Sequence, residues 1–256
     1  MIRATGEERA LARATMYRLL ALSFSYPVDD VVEQLHALRD VAVVAAELID
    51  EPSHEAVRRL VAGLADVDRA GLEASYQRVF TLSYSEDCPI HETAFSASHL
   101  FQQVHQQADI AGFYRAFGLD ADGEQSDHLA MELEFCYLLA LKEAHARGLG
   151  EQDHVQLCRR ASRLFFREHL ARWAPLTGGR TIVAGRGTWY ESAALALMAF
   201  IAAEERYLRL GSIVPYRDEP VHLPDDPGDL TCPLLDAPAE TKIELTRMEE
   251  SGAMAG

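Results

Sequence analysis

Apolar residues return at every third or fourth position along almost the whole chain, and this spacing limits the possible folds more than any motif does. Tyr190, Ala194, Leu197 and Ile201 show it, as do Leu129, Leu133, Cys136 and Ala140. That is the period of a helix with one buried face, so the expected fold class is all-α, a single-domain helical bundle. The spacing predicts helices over Thr5–Ser25, Asp30–Ile49, Ser53–Ala65, Arg69–Leu82, Ser96–Phe117, Ser126–Arg147, Glu151–Trp173 and Thr188–Leu210. Breaks are expected at Tyr26-Pro27, Glu51-Pro52, Cys88-Pro89, Gly118, Gly148 to Gly150, Ala174-Pro175 and Gly211, where proline or glycine interrupts the pattern.

Strand signals are weak. The one β-branched run, Thr181-Ile182-Val183, lies within the glycine-rich stretch Gly178 to Gly187, which reads as a loop between two helices. After Val214 the character changes: Pro215, Pro220, Pro224, Pro227, Pro233 and Pro238 fall among Asp225, Asp226 and Asp229. Such composition favours an extended acidic segment that orders only by docking. The domain reading is an all-helical unit over residues 1–212 and a tail over 213–256, with a short helix conceivable around Lys242 to Glu250.

With 24 Lys+Arg against 40 Asp+Glu, the formal charge of -16 argues against a nucleic-acid surface, which needs clustered cations. A basic, apolar or neutral partner suits this chain better. Cys88, Cys136, Cys158 and Cys232 form no C-x-x-C pair, so neither a zinc knuckle nor a disulfide framework is encoded and a reducing compartment fits. Acids precede the short run Leu19 to Phe24, unlike a secretory signal. Ser192 to Ala203 falls short of the roughly 20 residues that span a bilayer. A cytoplasmic location is expected.

Four constellations could carry chemistry. In Glu124 to Phe135, Ser126 or Asp127 can N-cap a long helix with His128 in its first turn and Glu132 and Glu134 on the solvated face. The same acid and imidazole could instead form a pH-responsive patch that binds a peptide or a phosphate. In Tyr76 to Phe95, Cys88 and His91 stand three apart with Glu92 next. That is half a metal site without a second pair, or a structural loop pinned by Pro89. E-x-x-H occurs at Glu33/His36, Glu51/His54 and Glu151/His154, the ligand spacing of di-iron bundles, but such a site needs two further inward glutamates. Gly178 to Gly187 lacks the G-K-[ST] of a phosphate loop. No nucleophile elbow or Cys–His pairing is visible, so no catalytic residue, metal site or cofactor is expected.

In order along the chain, several segments resemble the TorD/DmsD/NarJ-type chaperones that assemble molybdenum enzymes. They are D-I-A-G-F-Y-R-A-F-G-L at Asp109 to Leu119 and E-x-x-D-H-L-x-x-E-L-E-F at Glu124 to Phe135. F-F-R-E-H-L-A-R-W-A-P at Phe165 to Pro175 and the helix from Tyr190 to Tyr207 follow. The C-P-x-x-E-T loop at Cys88 to Thr93 is similar to the subgroup serving periplasmic complex iron-sulfur molybdoenzymes. The resemblance spans about Met16 to Leu210. Gln125 stands where the family's hinge usually carries proline.

The resemblance implies a cytoplasmic, non-enzymatic maturation chaperone. It would bind the twin-arginine leader and the apo form of a molybdopterin-dependent catalytic subunit and support cofactor insertion before export. Asp127 and His128 with Glu124 are the leader-binding residues carried over, with Tyr76, Phe80, Cys88, Pro89, His91 and Glu92 on the neighbouring surface. Two guanidinium groups and an apolar core need carboxylates beside a hydrophobic groove, which an acidic helical protein can supply. Two rivals stand: a helical metal-dependent enzyme using the E-x-x-H pairs or Cys88, His91 and Glu92, and an adaptor that grips the mature subunit and ignores the leader. A monomer or a domain-swapped dimer, exchanging across Gly178 to Gly187, is compatible with the chain.

Overall fold

The computed structural model describes residues 4–81, 87–96, 100–119 and 126–218. Among these there are ten helices and no strand: α1 Gly6–Phe24, α2 Asp29–Ile49, α3 Glu51–Leu64, α4 Arg69–Phe80, α5 Thr93–Ser96, α6 Leu100–Ala116, α7 Leu129–Gly148, α8 Gln152–Glu168, α9 Leu170–Ala184 and α10 Trp189–Leu208. The all-α reading of the sequence is what the structure has. None of these helices is long and apolar enough to cross a membrane.

α1 is buried nearly all round, from Ala10 to Phe24, and so occupies the centre, packed on α7 and α2. A capping box starts it: the Thr5 hydroxyl accepts from Glu8 N and the Glu8 carboxylate from Thr5 N. α10 lies against α9 and α3. α8 is strongly amphipathic, burying Val155, Cys158, Ser162, Phe165 and Phe166 against α7. Tyr114, Phe135, Phe165 and Trp173 form an aromatic core beside the loop that precedes α5, with Phe135 and Phe165 ring centroids 4.7 Å apart.

Arg13, fully buried, is held by Glu204 (Nε to Oε1 2.7 Å) and Glu143 (Nη1 to Oε2 2.9 Å). Tyr17 donates to Glu204 (2.9 Å) and Arg147 to Glu143 (Nε to Oε1 2.9 Å). This ion cluster fastens α1, α7 and α10 together.

The structure corrects several sequence expectations. Gly178 to Gly187 is no loop: α9 continues through Gly178, Gly179 and Thr181 to Ala184, leaving only Gly185–Thr188 to connect it to α10. A Cβ at Gly178 would lie 2.8 Å from Met198 Cγ, so this glycine lets α9 and α10 approach closely. Packing overrides its low helix propensity. The expected break at Ala174-Pro175 falls instead at His169 (φ -116, ψ -92), which divides Glu151–Trp173 into α8 and α9, and Pro175 sits inside α9. α7 begins at Leu129 rather than at Ser126. Glu132, read as solvated, is wholly buried.

Beyond α10, residues 211–218 run as an irregular strap over α9. The Tyr216 amide donates to Arg172 O (3.0 Å), and Arg172 Nε donates to Val214 O (3.1 Å). The expected helix at Lys242 to Glu250, and Glu124, Gln125 and Cys232, lie outside the described residues.

Candidate functional site

The loop before α5 and the chain entering α7 are tied by an isolated antiparallel bridge, His91 to His128. Glu92 N donates to Asp127 O (2.9 Å) and Leu129 N to Ile90 O (3.0 Å). The bridge puts two expected site segments side by side. Asp127 then turns inward: its Oδ2 accepts from the Thr93 amide (3.2 Å) and hydroxyl (2.5 Å), and its Oδ1 lies 3.4 Å from His91 Nδ1. It caps α5 rather than α7.

The N-cap of α7 is His128, whose Nδ1 accepts from Ala130 N (3.1 Å). That bond requires the lone pair on Nδ1, so the ring is neutral with its proton on Nε2. The readings of Ser126 or Asp127 as cap, and of an exposed acid at the helix start, are both corrected. The carboxylate satisfies the tighter turn of α5, and the imidazole reaches the orphan amides of α7.

Four of the expected residues, Tyr76, Phe80, His91 and His128, line one cleft of about 370 Å³ between the ends of α1 and α4, the bridge and the start of α7. Ser25, Tyr26, Thr81, Ile90, Ala130 and Met131 complete its wall. The rings interlock edge to face. Tyr26 and Tyr76 centroids are 5.3 Å apart, Phe80 and Tyr190 also 5.3 Å, and His91 and His128 5.0 Å. Tyr26 was legible only as the residue before Pro27. Thr81 (φ 57, ψ 170), the C-cap of α4, takes a backbone conformation suited to glycine.

Charge is scarce inside the cleft. Burial, with His91 as a secondary cause, lowers the His128 pKa to about 3. Burial alone would raise Asp127, but hydrogen bonds and charge from His91 and the Thr93 bonds outweigh it and hold the carboxyl below its ordinary value. Burial raises Tyr76 to about 12, with Tyr26 adding to it. The cleft therefore offers aromatic faces, a neutral imidazole and the edge of His91. The Tyr26 hydroxyl donates to Glu73, which also pairs with Arg69 (3.7 Å).

The remaining expected residues lie behind this wall. Cys88 is buried, its Sγ 3.2 Å from the Thr181 hydroxyl. Burial lifts its thiol to about 11, away from nucleophilic or ligating chemistry. Pro89 is buried, and its carbonyl accepts from Thr177 (3.0 Å). Glu92 faces away from the cleft. Its Oε1 accepts from Gln106 Nε2 (2.7 Å) and Tyr216 Oη (2.9 Å), and His169 Nδ1 stands 3.1 Å from Oε2. Glu132 beside it takes the Trp173 indole (3.1 Å). Burial first and Glu92 second push its pKa well up.

The E-x-x-H pairs lie apart on α2, α3 and α8, with Glu151 and His154 bonded to each other at 2.7 Å. Among the described residues no three His, Cys, Asp or Glu side chains are grouped to hold a metal ion.

Residues 46–177 match the family described as nitrate reductase delta subunit. No curated protein matches the chain. Among solved structures, a candidate redox enzyme maturation protein from Archaeoglobus fulgidus is similar, with 20% identity and a TM-score of 0.38, over 64% of this chain and 96% of that one. The family match takes in α3 to α8, the bridge, both histidines of the cleft and the first half of α9. The chain belongs to the nitrate reductase delta subunit family, the NarJ/TorD-type chaperones.

Proposed function

We propose that this chaperone captures the twin-arginine leader of a molybdopterin-dependent catalytic subunit in the cleft between α1, α4 and α7. It holds the apo subunit in the cytoplasm until cofactor insertion and catalyses no reaction itself. The observation that carries the reading is the convergence of Tyr76, Phe80, His91 and His128, from three separate stretches of sequence, on one aromatic-walled cleft.

An apolar leader segment would bury its side chains against Tyr26, Tyr76, Phe80 and Ile90, at about 25 cal/mol per Å² of apolar surface covered. His128 lines the cleft, and its Nε2–H can donate to a leader carbonyl. The arginines need carboxylates near the cleft; Glu73, reached through Tyr26, would exchange its Arg69 pairing for a leader arginine, and the charge of -16 steers a cationic leader towards the surface. Asp127 serves indirectly, by holding His91 and the start of α5. Capture of this kind is moderate in strength, as later release demands.

A labelled synthetic leader titrated into the full chain tests the proposal. Tyr76→Ala should weaken binding by about tenfold, roughly 1.4 kcal/mol, and a leader with both arginines replaced by glutamine should lose the salt dependence of the association rate. Binding that Tyr76→Ala leaves unchanged would remove the cleft from the account. Equal capture of a client lacking its leader would move recognition to the mature subunit.

A further inference from the structure

A second cleft, of about 690 Å³, opens between α6 and α9 alongside the strap. The strap is attached as an extended peptide would be. Its backbone is bonded twice to Arg172, through the Tyr216 amide to Arg172 O (3.0 Å) and through the side-chain Arg172 Nε to Val214 O (3.1 Å). Its polar anchor is the half-buried Tyr216 phenol, which donates to Glu92 (2.9 Å), accepts from Gln106 Nε2 (3.0 Å) and lies 3.9 Å beneath the Arg172 guanidinium. Val214 is 73% exposed, and Pro215 and Arg217 also face solvent.

The strap does not exhaust the cleft. His169, 3% exposed and part of its wall, has an Nε2 without a hydrogen-bond partner among the described residues; Asp109 lies at 3.5 Å without hydrogen-bond geometry. A buried polar atom left over beside an open volume marks a place where a ligand can add a bond.

We infer that the groove between α6 and α9 binds an extended, tyrosine-bearing segment of a partner polypeptide, and that residues 213–218 are its resident stand-in. The chemistry at the anchor selects the side chain. Glu92 requires a donor and Gln106 requires an acceptor, at the tip of a flat ring that can stack under Arg172. Tyrosine meets all three conditions. Phenylalanine meets neither polar demand, and arginine cannot accept and would face Arg172. The groove is therefore distinct from the leader cleft and extends the function proposed above. Residues 219–256 contain no tyrosine, phenylalanine or tryptophan, so that stretch cannot supply the anchor. A tethered stand-in competes at an effective concentration on the order of millimolar, so the groove opens only to a partner that outcompetes it.

The test uses the full chain, wild type and Tyr216→Ala, with a labelled peptide of sequence Ser-Ile-Val-Pro-Tyr-Arg-Asp. Saturable binding to Tyr216→Ala is expected, at least about tenfold weaker to wild type. A peptide scrambled around its Pro-Tyr pair should bind within a few-fold, and one with phenylalanine for tyrosine should lose most of its binding. Leader peptide should not compete. In Tyr216→Phe, which keeps the ring, backbone amide exchange across residues 213–217 should accelerate. The inference is overturned if the peptide ignores Tyr216→Ala, if the phenylalanine peptide binds equally, or if exchange in Tyr216→Phe is unchanged. Displacement by leader peptide overturns the separation of the two sites while leaving leader capture intact. A dimer of wild type that the peptide dissolves would make a second copy, not a partner, the occupant.

Discussion

Among the described residues, two groups of buried charged and polar side chains, around Arg13 and around Glu92, are finished to different degrees. Around Arg13, the carboxylates of Glu143 and Glu204 are met by Arg13, Arg147 and Tyr17, and the guanidinium itself is fully buried. Around Glu92, the acids share fewer donors. Glu132 Oε1 and His169 Nε2 have no hydrogen-bond partner among the described residues, and clefts of about 370 and 690 Å³ lie on either side of the loop that carries His91 and Glu92. A completed cluster locks helices together. An incomplete one beside open volume keeps bonding capacity for something else, so the first is read as architecture and the second as the working region.

Breaking the first cluster should have the largest effect. Arg13→Met leaves Glu204 buried without a cation and Glu143 without one of its guanidinium partners, which costs about 3–5 kcal/mol. Thermal unfolding should fall by about 10 °C for a domain of this size, while leader affinity measured below the transition stays within about twofold of wild type. Lost leader affinity in a folded Arg13→Met protein would erase the distinction between the regions.

Asp127→Ala strikes the second region from behind. The Thr93 amide and hydroxyl lose their acceptor and α5 its cap, so stability should drop by about 1–3 kcal/mol and leader binding should weaken as His91 is released. A denaturant titration beside the peptide titration measures both effects.

Acid should also act on the working region first. His128 has a folded pKa of about 3 against an ordinary 6.5, so the unfolded chain takes up its proton first. Stability is then full above pH 6.5 and declines as pH falls towards about 3, by at most about 1.4 kcal/mol per pH unit. Asp127, lowered in the fold, adds stability above its ordinary pKa of 3.8, which is lost as pH falls through the folded value. Chemical denaturation of wild type and His128→Gln across pH 4 to 7 should show a shallower slope in the variant.

The smallest expected effect sharpens the contrast from the other side. Thr81, in the wall of the aromatic cleft, is held at φ 57, ψ 170. Thr81→Gly should stabilise the protein by about 1 kcal/mol in a urea titration, since an exposed side chain is exchanged for relief of backbone strain.

The helical period made the class and most elements legible, because a buried helix face writes itself into the spacing of Leu129, Leu133, Cys136 and Ala140. The expected loop at Gly178 to Gly187 failed for a tertiary reason, since Gly178 admits Met198 and no local rule records that contact. The same limit applies to the site. Tyr76, Phe80, His91 and His128 were legible through family resemblance and do share a cleft, but the inward turn of Asp127 depends on Thr93, 34 residues away. Glu132 carried no sign of burial, since its partner Trp173 lies 41 residues further on. The docking of Tyr216 on Glu92 was equally hidden, since the proline-rich stretch reads as an extended acidic tail that orders only by docking, without saying where it docks.

Hydrogen exchange with and without a synthetic twin-arginine leader, read by mass spectrometry on the full chain, tests the central claim most directly. Capture in the aromatic cleft predicts new protection in residues 25–28, 76–81, 88–92 and 127–132, with the amides around Arg13 unchanged. Protection confined to the strap and α9, or to the outer faces of α2 and α8, would contradict it.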